Sequence, residues 1–89
     1  MVTATVYFDA HDPDGFLEAL GTTAHLLDEV AEFHGFELLR GVEDPHRFLL
    51  LATWDSVADH EAWQKANAPA FIGALEKTIN GPPDIKHFQ

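Results

Sequence analysis

The chain has 89 residues, fifteen Asp plus Glu against five Lys plus Arg, a net charge of −10 with His counted neutral, and no cysteine. That length suits one domain over residues 1–89, and the charge repels phosphate backbones and anionic bilayers, so nucleic acid and membranes are not expected partners. Without Cys there are no disulfides, thiolate nucleophiles or cysteine-based zinc sites, while 46% hydrophobic residues, ten of them aromatic, exceed what a lone chain of this size readily hides.

The opening stretch MVTATVYFDAHD lacks the basic start and long apolar segment of a secretory signal. No run approaches the ~20 apolar residues of a membrane helix, and a cytoplasmic protein is expected. Val2 to Asp9 alternates Thr3, Thr5 and Tyr7 against Val2, Ala4, Val6 and Phe8 and reads as a strand. Asp12 is placed to cap a helix, with Pro13 at its first position. Phe16, Leu20, Ala24, Leu27 and Val30 then recur at helical spacing, which predicts a helix reaching about Phe33 and ended by Gly35. Gly21 inside it is explained only by a close backbone approach. Phe36 to Val42 is a second strand, Glu43-Asp44-Pro45-His46 a turn, and Arg47 to Thr53 a third strand forming a hairpin with the second. Ser56, with Asp59 three residues on, caps a helix carrying Val57, His60, Trp63 and Gln64. Asn67-Ala68-Pro69 is expected to break that helix, and Phe71, Ile72, Leu75 and Ile79 to restart it. Pro82-Pro83 ends all helix, and Asp84 to Phe88 is a closing strand.

This order predicts an α+β fold, the ferredoxin-like βαββααβ plan with one four-stranded antiparallel sheet and helices on one side. The run FLLLA, Phe48 to Ala52, does not alternate. Leu49 and Leu51 point one way and Phe48, Leu50 and Ala52 the other, so the face without helices is also apolar. A second copy meeting it across a two-fold axis is the simplest cover, and a homodimer is expected.

The segment GFELLRGVEDPHRFLLLATWDSVADHEAW, Gly35 to Trp63, resembles the antibiotic biosynthesis monooxygenase (ABM) domain family, a branch of the dimeric α+β-barrel superfamily. The residues carrying the likeness are Gly35, Phe36, Arg40, the Glu43-Asp44-Pro45 turn, the apolar strand Phe48 to Ala52, and Trp54-Asp55-Ser56 before a helix. The resemblance implies a homodimer whose two sheets close into a barrel, with a pocket in each subunit between sheet and helices. It also implies, for several members, oxidation of anthrone-like or phenolic molecules to quinones by O2 with no metal, flavin or haem. There the ionised phenol or enol is itself the reductant, and the protein binds, deprotonates and excludes water.

Six residues form the expected site, each with a structural reading beside it. His60 is the catalytic base candidate because imidazole titrates near neutrality, although most such histidines lie on the surface. Trp63 is the second catalytic candidate, since the resemblance puts a pocket-lining aromatic near this place; it equally suits helix-on-sheet packing. Tyr7, Trp54, Asn67 and Phe71 are the expected substrate-binding residues. Against them stand the dimer seam for Tyr7, core closure at a strand end for Trp54, helix capping for Asn67 and the helical stripe for Phe71. His34 and His87 are weaker base candidates. His25, Asp28, Glu29 and Glu32 lie at helical spacing suited to a metal, but a solvated acidic face explains them better, and no metal or other cofactor is expected.

The resulting expectation is a cofactor-independent monooxygenase acting on a small aromatic or polyketide-type molecule. The alternatives are a non-catalytic ligand-binding dimer and an isomerase or cyclase on the same barrel. Haem degradation, known in another branch of the resembled family, fits less well. Trp63 matches the tryptophan of that branch, but its iron-ligating His falls at Gly73 and its first-strand Asn has no counterpart between Met1 and Asp12.

Overall fold

The computed structural model describes residues 1–89. The first strand, β1 (Val2–Asp9), buries Val2, Ala4, Val6 and Phe8 on one face and leaves Thr3, Thr5, Tyr7 and Asp9 half-buried on the other. Two-residue periodicity thus carries directly into burial. Asp12 caps helix α1 (Pro13–Thr23), its side chain accepting the Gly15 amide at 3.1 Å.

The predicted continuation of α1 to Phe33 does not form. The Thr22 and Thr23 hydroxyls hydrogen-bond back to the Ala19 carbonyl, and that of Thr23 also to Leu20, a use of β-branched hydroxyls that weakens a helix end. A single 3₁₀ stretch, Ala24–Leu27, follows; Asp28 is then extended and Glu29 takes a positive φ of 64°. Leu27 and Val30 still reach the core, from a turn rather than from a helix face.

Strand β2 (Phe33–Arg40) accordingly starts three residues earlier than expected and stops before Val42, which is exposed. Gly35 does not end a helix. It sits inside β2 at φ +114°, where the register against β3 (Arg47–Trp54) slips between Phe33 and Phe36, a bulge in a conformation that favours glycine. The β2–β3 turn is held by Asp44, which accepts the His46 amide and the Arg47 guanidinium. The His46 amide holds the Asp44 carboxyl below the usual carboxylate range. A Cβ on Gly41 would lie 2.4 Å from the Asp44 carbonyl oxygen, so only glycine fits there.

Ser56 caps helix α2 (Val57–Leu75) as expected, accepting the Asp59 amide at 3.1 Å while its hydroxyl donates to the Asp59 carboxylate. The predicted break at Asn67-Ala68-Pro69 is absent, and α2 runs through Pro69 as one helix of 19 residues. Pro69 forgoes one helix hydrogen bond at an exposed position, where water reaches the freed carbonyl. The architecture is therefore βαββαβ, closed by β4 (Asp84–Phe88) as predicted.

The sheet order is β2-β3-β1-β4, antiparallel throughout, as the ferredoxin-like plan requires. Its helix-facing side holds two packed groups. The first, ten buried residues, is built around Phe8, Phe16 and Phe48, with ring centroids 4.9 and 4.6 Å apart; each such buried ring contributes about 2 to 3 kcal/mol. The second comprises Val2, Ala4, Ala52 and Trp54. On the opposite side Thr3, Tyr7, Glu37, Leu39, Leu49, Leu51 and Phe88 share one surface by register. Leu39 and Phe88 are 43% and 59% exposed there. No helix is long and apolar enough to cross a membrane.

Candidate functional site

Small residues open a space between the sheet and α2. Ala52 occupies the position between Leu50 and Trp54 on the inner face of β3, and Ala68 lies on α2 beside it. Around them is a small, partly open cavity of about 60 Å³. Val6, Leu50, Trp54, Trp63 and Phe71 form much of its wall, with Phe33 and Phe36 from the bulged start of β2. Twelve of its fifteen lining residues are hydrophobic, so a ligand is held chiefly by removing apolar surface from water. The polar side chains on the wall belong to His60 and Gln64.

Aromatic contacts fix this wall. Trp54 is 1% exposed and meets Phe33 at 5.2 Å, Trp63 at 5.8 Å and His60 at 4.9 Å between ring centroids. Its contact with His60 is a stack, 21° between planes. Trp63 packs edge-on against Phe71 and donates its Nε1 hydrogen to the Leu26 carbonyl at 3.2 Å, tying α2 to the turn after α1. The Trp54 Nε1 hydrogen is buried without an acceptor, a state that costs about 1 to 3 kcal/mol until one is supplied.

His60 is 4% exposed, and its Nδ1 lies 2.8 Å from Nε2 of His87 on β4. Burial, with His87 alongside, pushes its imidazole down to about 4. At neutral pH the ring is therefore uncharged.

Of the six expected site residues, the cavity gathers four: His60, Trp63, Trp54 and Phe71. Tyr7 is not among them. It lies on the opposite face of the sheet, because period two sends it away from Val6 and Phe8, and there its hydroxyl accepts from Arg47 while the guanidinium sits over its ring. Asn67 also falls outside. With α2 unbroken it caps nothing, and its Nδ2 donates to the Trp63 carbonyl one turn back at 3.0 Å. His34 is on the surface, 2.5 Å from Asp55. Gln64 was not singled out, although its place four residues after His60 marks the same helix face. His87 was named only as a weaker base, and alternation with Ile85 along β4 is the signal that turns it inward. His25, Asp28, Glu29 and Glu32 are not on one helix, since α1 ends at Thr23, and no three metal-ligating side chains converge.

Comparison with curated protein sequences gives no match. Solved structures do resemble the chain. A Bordetella bronchiseptica protein assigned as an antibiotic biosynthesis monooxygenase superposes with a TM-score of 0.90 at 20% identity, covering 99% of this chain and 94% of its own. SnoaB, a cofactor-independent oxygenase from Streptomyces nogalater, gives 0.80 at 21%, covering 99% and 90%. The haem degrader MhuD from Mycobacterium tuberculosis, solved with two haems in its active site, gives 0.75 at 22%, covering 100% and 94%. These superpositions establish a shared fold. The model of the antibiotic biosynthesis monooxygenase family matches residues 1–77, and the chain belongs to that family.

Proposed function

We propose that the cavity binds a small, planar, hydroxylated aromatic or polyketide-type molecule and that the protein oxidises it with O2 without a cofactor. The observation that carries this reading is the combination of an apolar aromatic wall with an uncharged, buried imidazole. Such a wall selects a flat ring system by area. The imidazole accepts a hydroxyl proton, and the ionised ring is then electron-rich enough to reduce O2. One oxygen atom enters the product as a quinone carbonyl and the other leaves as water. The likeness to SnoaB, described as a cofactor-independent oxygenase, points the same way.

The same reading includes a homodimer, supported by the apolar side chains Leu39, Leu49, Leu51 and Phe88 on the outer face, set among threonines and charged residues. Haem degradation, the activity of MhuD, has less support. The place where an iron-ligating His was sought is Gly73, exposed on α2, and His60 already engages His87.

The test is to incubate the protein under air with an anthrone, whose ring methylene becomes the quinone carbonyl. The expected product is heavier by one oxygen and lighter by two hydrogens, with one O2 consumed. Ala52→Leu fills the cavity and is expected to abolish binding and turnover while leaving the protein folded. Binding without O2 uptake indicates a non-catalytic binder, and a product of unchanged mass an isomerase or cyclase. Either result overturns the oxygenase assignment.

A further inference from the structure

His60 alone is a poor destination for a proton. It is buried among Trp54 and other apolar wall residues, where a lasting charge is disfavoured, yet ligand ionisation needs the proton to leave the cavity. The structure supplies a way out. His60 Nδ1 and His87 Nε2 are 2.8 Å apart, and the rings meet edge to face with centroids 5.0 Å apart. The stack on Trp54 holds the His60 plane. His87 is only half-buried, on the edge strand β4, and its register opposite Ala4 turns it to the helix side of the sheet. Neither imidazole hydrogen-bonds a carboxylate, a cation or a backbone group, so no third partner locks one tautomer.

We propose that His60 and His87 form a proton relay that carries the hydroxyl proton of a bound ligand from the cavity to solvent, a role that rests on reading the cavity as the site of an ionisable aromatic. The ligand O–H bond breaks and its proton joins His60 Nε2. The Nδ1 hydrogen of His60 passes to His87 Nε2, and His87 releases its Nδ1 hydrogen to water. Each imidazole gains one proton and loses one, so both end neutral with their tautomers exchanged and no charge remains on the buried ring. The electron pair of the broken bond remains on the ligand oxygen. His60 touches the ligand; His87 acts through it.

The experiment uses para-nitrophenol, whose phenolate is yellow, with the full chain in weakly buffered solution containing a pH-indicating dye. Stopped-flow absorbance reads ionisation, the dye reads proton release, and titration reads affinity. The wild-type protein is expected to bind and ionise the probe. His87→Gln keeps a side-chain amide beside His60 but relays no proton; it is expected to bind with affinity within about twofold and to release the proton about a hundredfold more slowly. His87→Ala is expected to behave alike and to regain its rate on adding imidazole, a recovery that a purely structural role does not produce. Wild-type release rates in His87→Gln, or no recovery of His87→Ala by imidazole, overturn the relay and leave the binding reading intact. Failure of the wild-type protein to bind the probe overturns the cavity reading and the relay with it; binding without ionisation overturns the relay alone. Should His87→Ala not fold, the nitrogen–nitrogen scalar coupling between His60 Nδ1 and His87 Nε2 in isotopically labelled wild-type protein decides, since its absence excludes the hydrogen bond the relay requires.

Discussion

At the scale of single residues, the burial of His60 couples pH to stability. Its pKa falls from 6.5 to about 4 on folding, so between those values the unfolded chain binds a proton that the folded one does not. Stability therefore drops as pH falls from 6.5 towards 4, by up to about 3 kcal/mol, because one pKa unit corresponds to about 1.4 kcal/mol. His60→Phe keeps a ring on Trp54 and removes the titration. Chemical denaturation at pH 7 and pH 5 is expected to show a smaller acid loss in the variant than in the wild-type protein; equal losses refute the assignment. That His60 is a candidate base was legible in its residue type alone. Its burial against Trp54 and its contact with a residue 27 positions away arise from the meeting of α2 with β4, which no local pattern encodes. Tyr7 lies outside the cavity for a related reason: period two says that it opposes Phe8, but not which face the helices cover.

At the scale of elements, two glycines separate propensity from tertiary demand. Gly21 was expected to mark a close backbone approach, yet a Cβ placed there meets nothing within 4 Å. Gly21→Ala in α1 is therefore expected to stabilise by about 0.5 to 1 kcal/mol. Gly35 at φ +114° in the β2 bulge has open space as well, but its backbone is strained for any L side chain. Gly35→Ala is expected to destabilise by about 1 to 3 kcal/mol, and to disturb Phe33 and Phe36 at the cavity. Thermal unfolding of the two variants, one rising and one falling, checks both signs. The continuity of α2 belongs at this scale too. A proline after Asn67 reads as a break, yet Trp63, Ala68 and Phe71 reach one cavity from a single helix that tolerates one missing hydrogen bond at its exposed side.

At the scale of the whole molecule, the sheet has helices on one face and Leu39, Leu49, Leu51 and Phe88 on the other. Sedimentation is expected to give a particle near twice the chain mass of 9.9 kDa. Leu49→Asp is expected to shift it to the monomer by placing a charge in the apolar seam; a wild-type monomer at high concentration refutes the dimer. The sequence by itself determined the succession of strands along the chain, both helix N-caps and the hairpin turn, because alternation, capping and turn chemistry act over two to four residues. Only the tertiary structure decided that α1 stops at Thr23, that α2 survives Pro69, that Tyr7 and Asn67 lie outside the cavity, and that His87 meets His60. Those outcomes depend on contacts between segments far apart in the chain, whose free energy local periodicity does not contain.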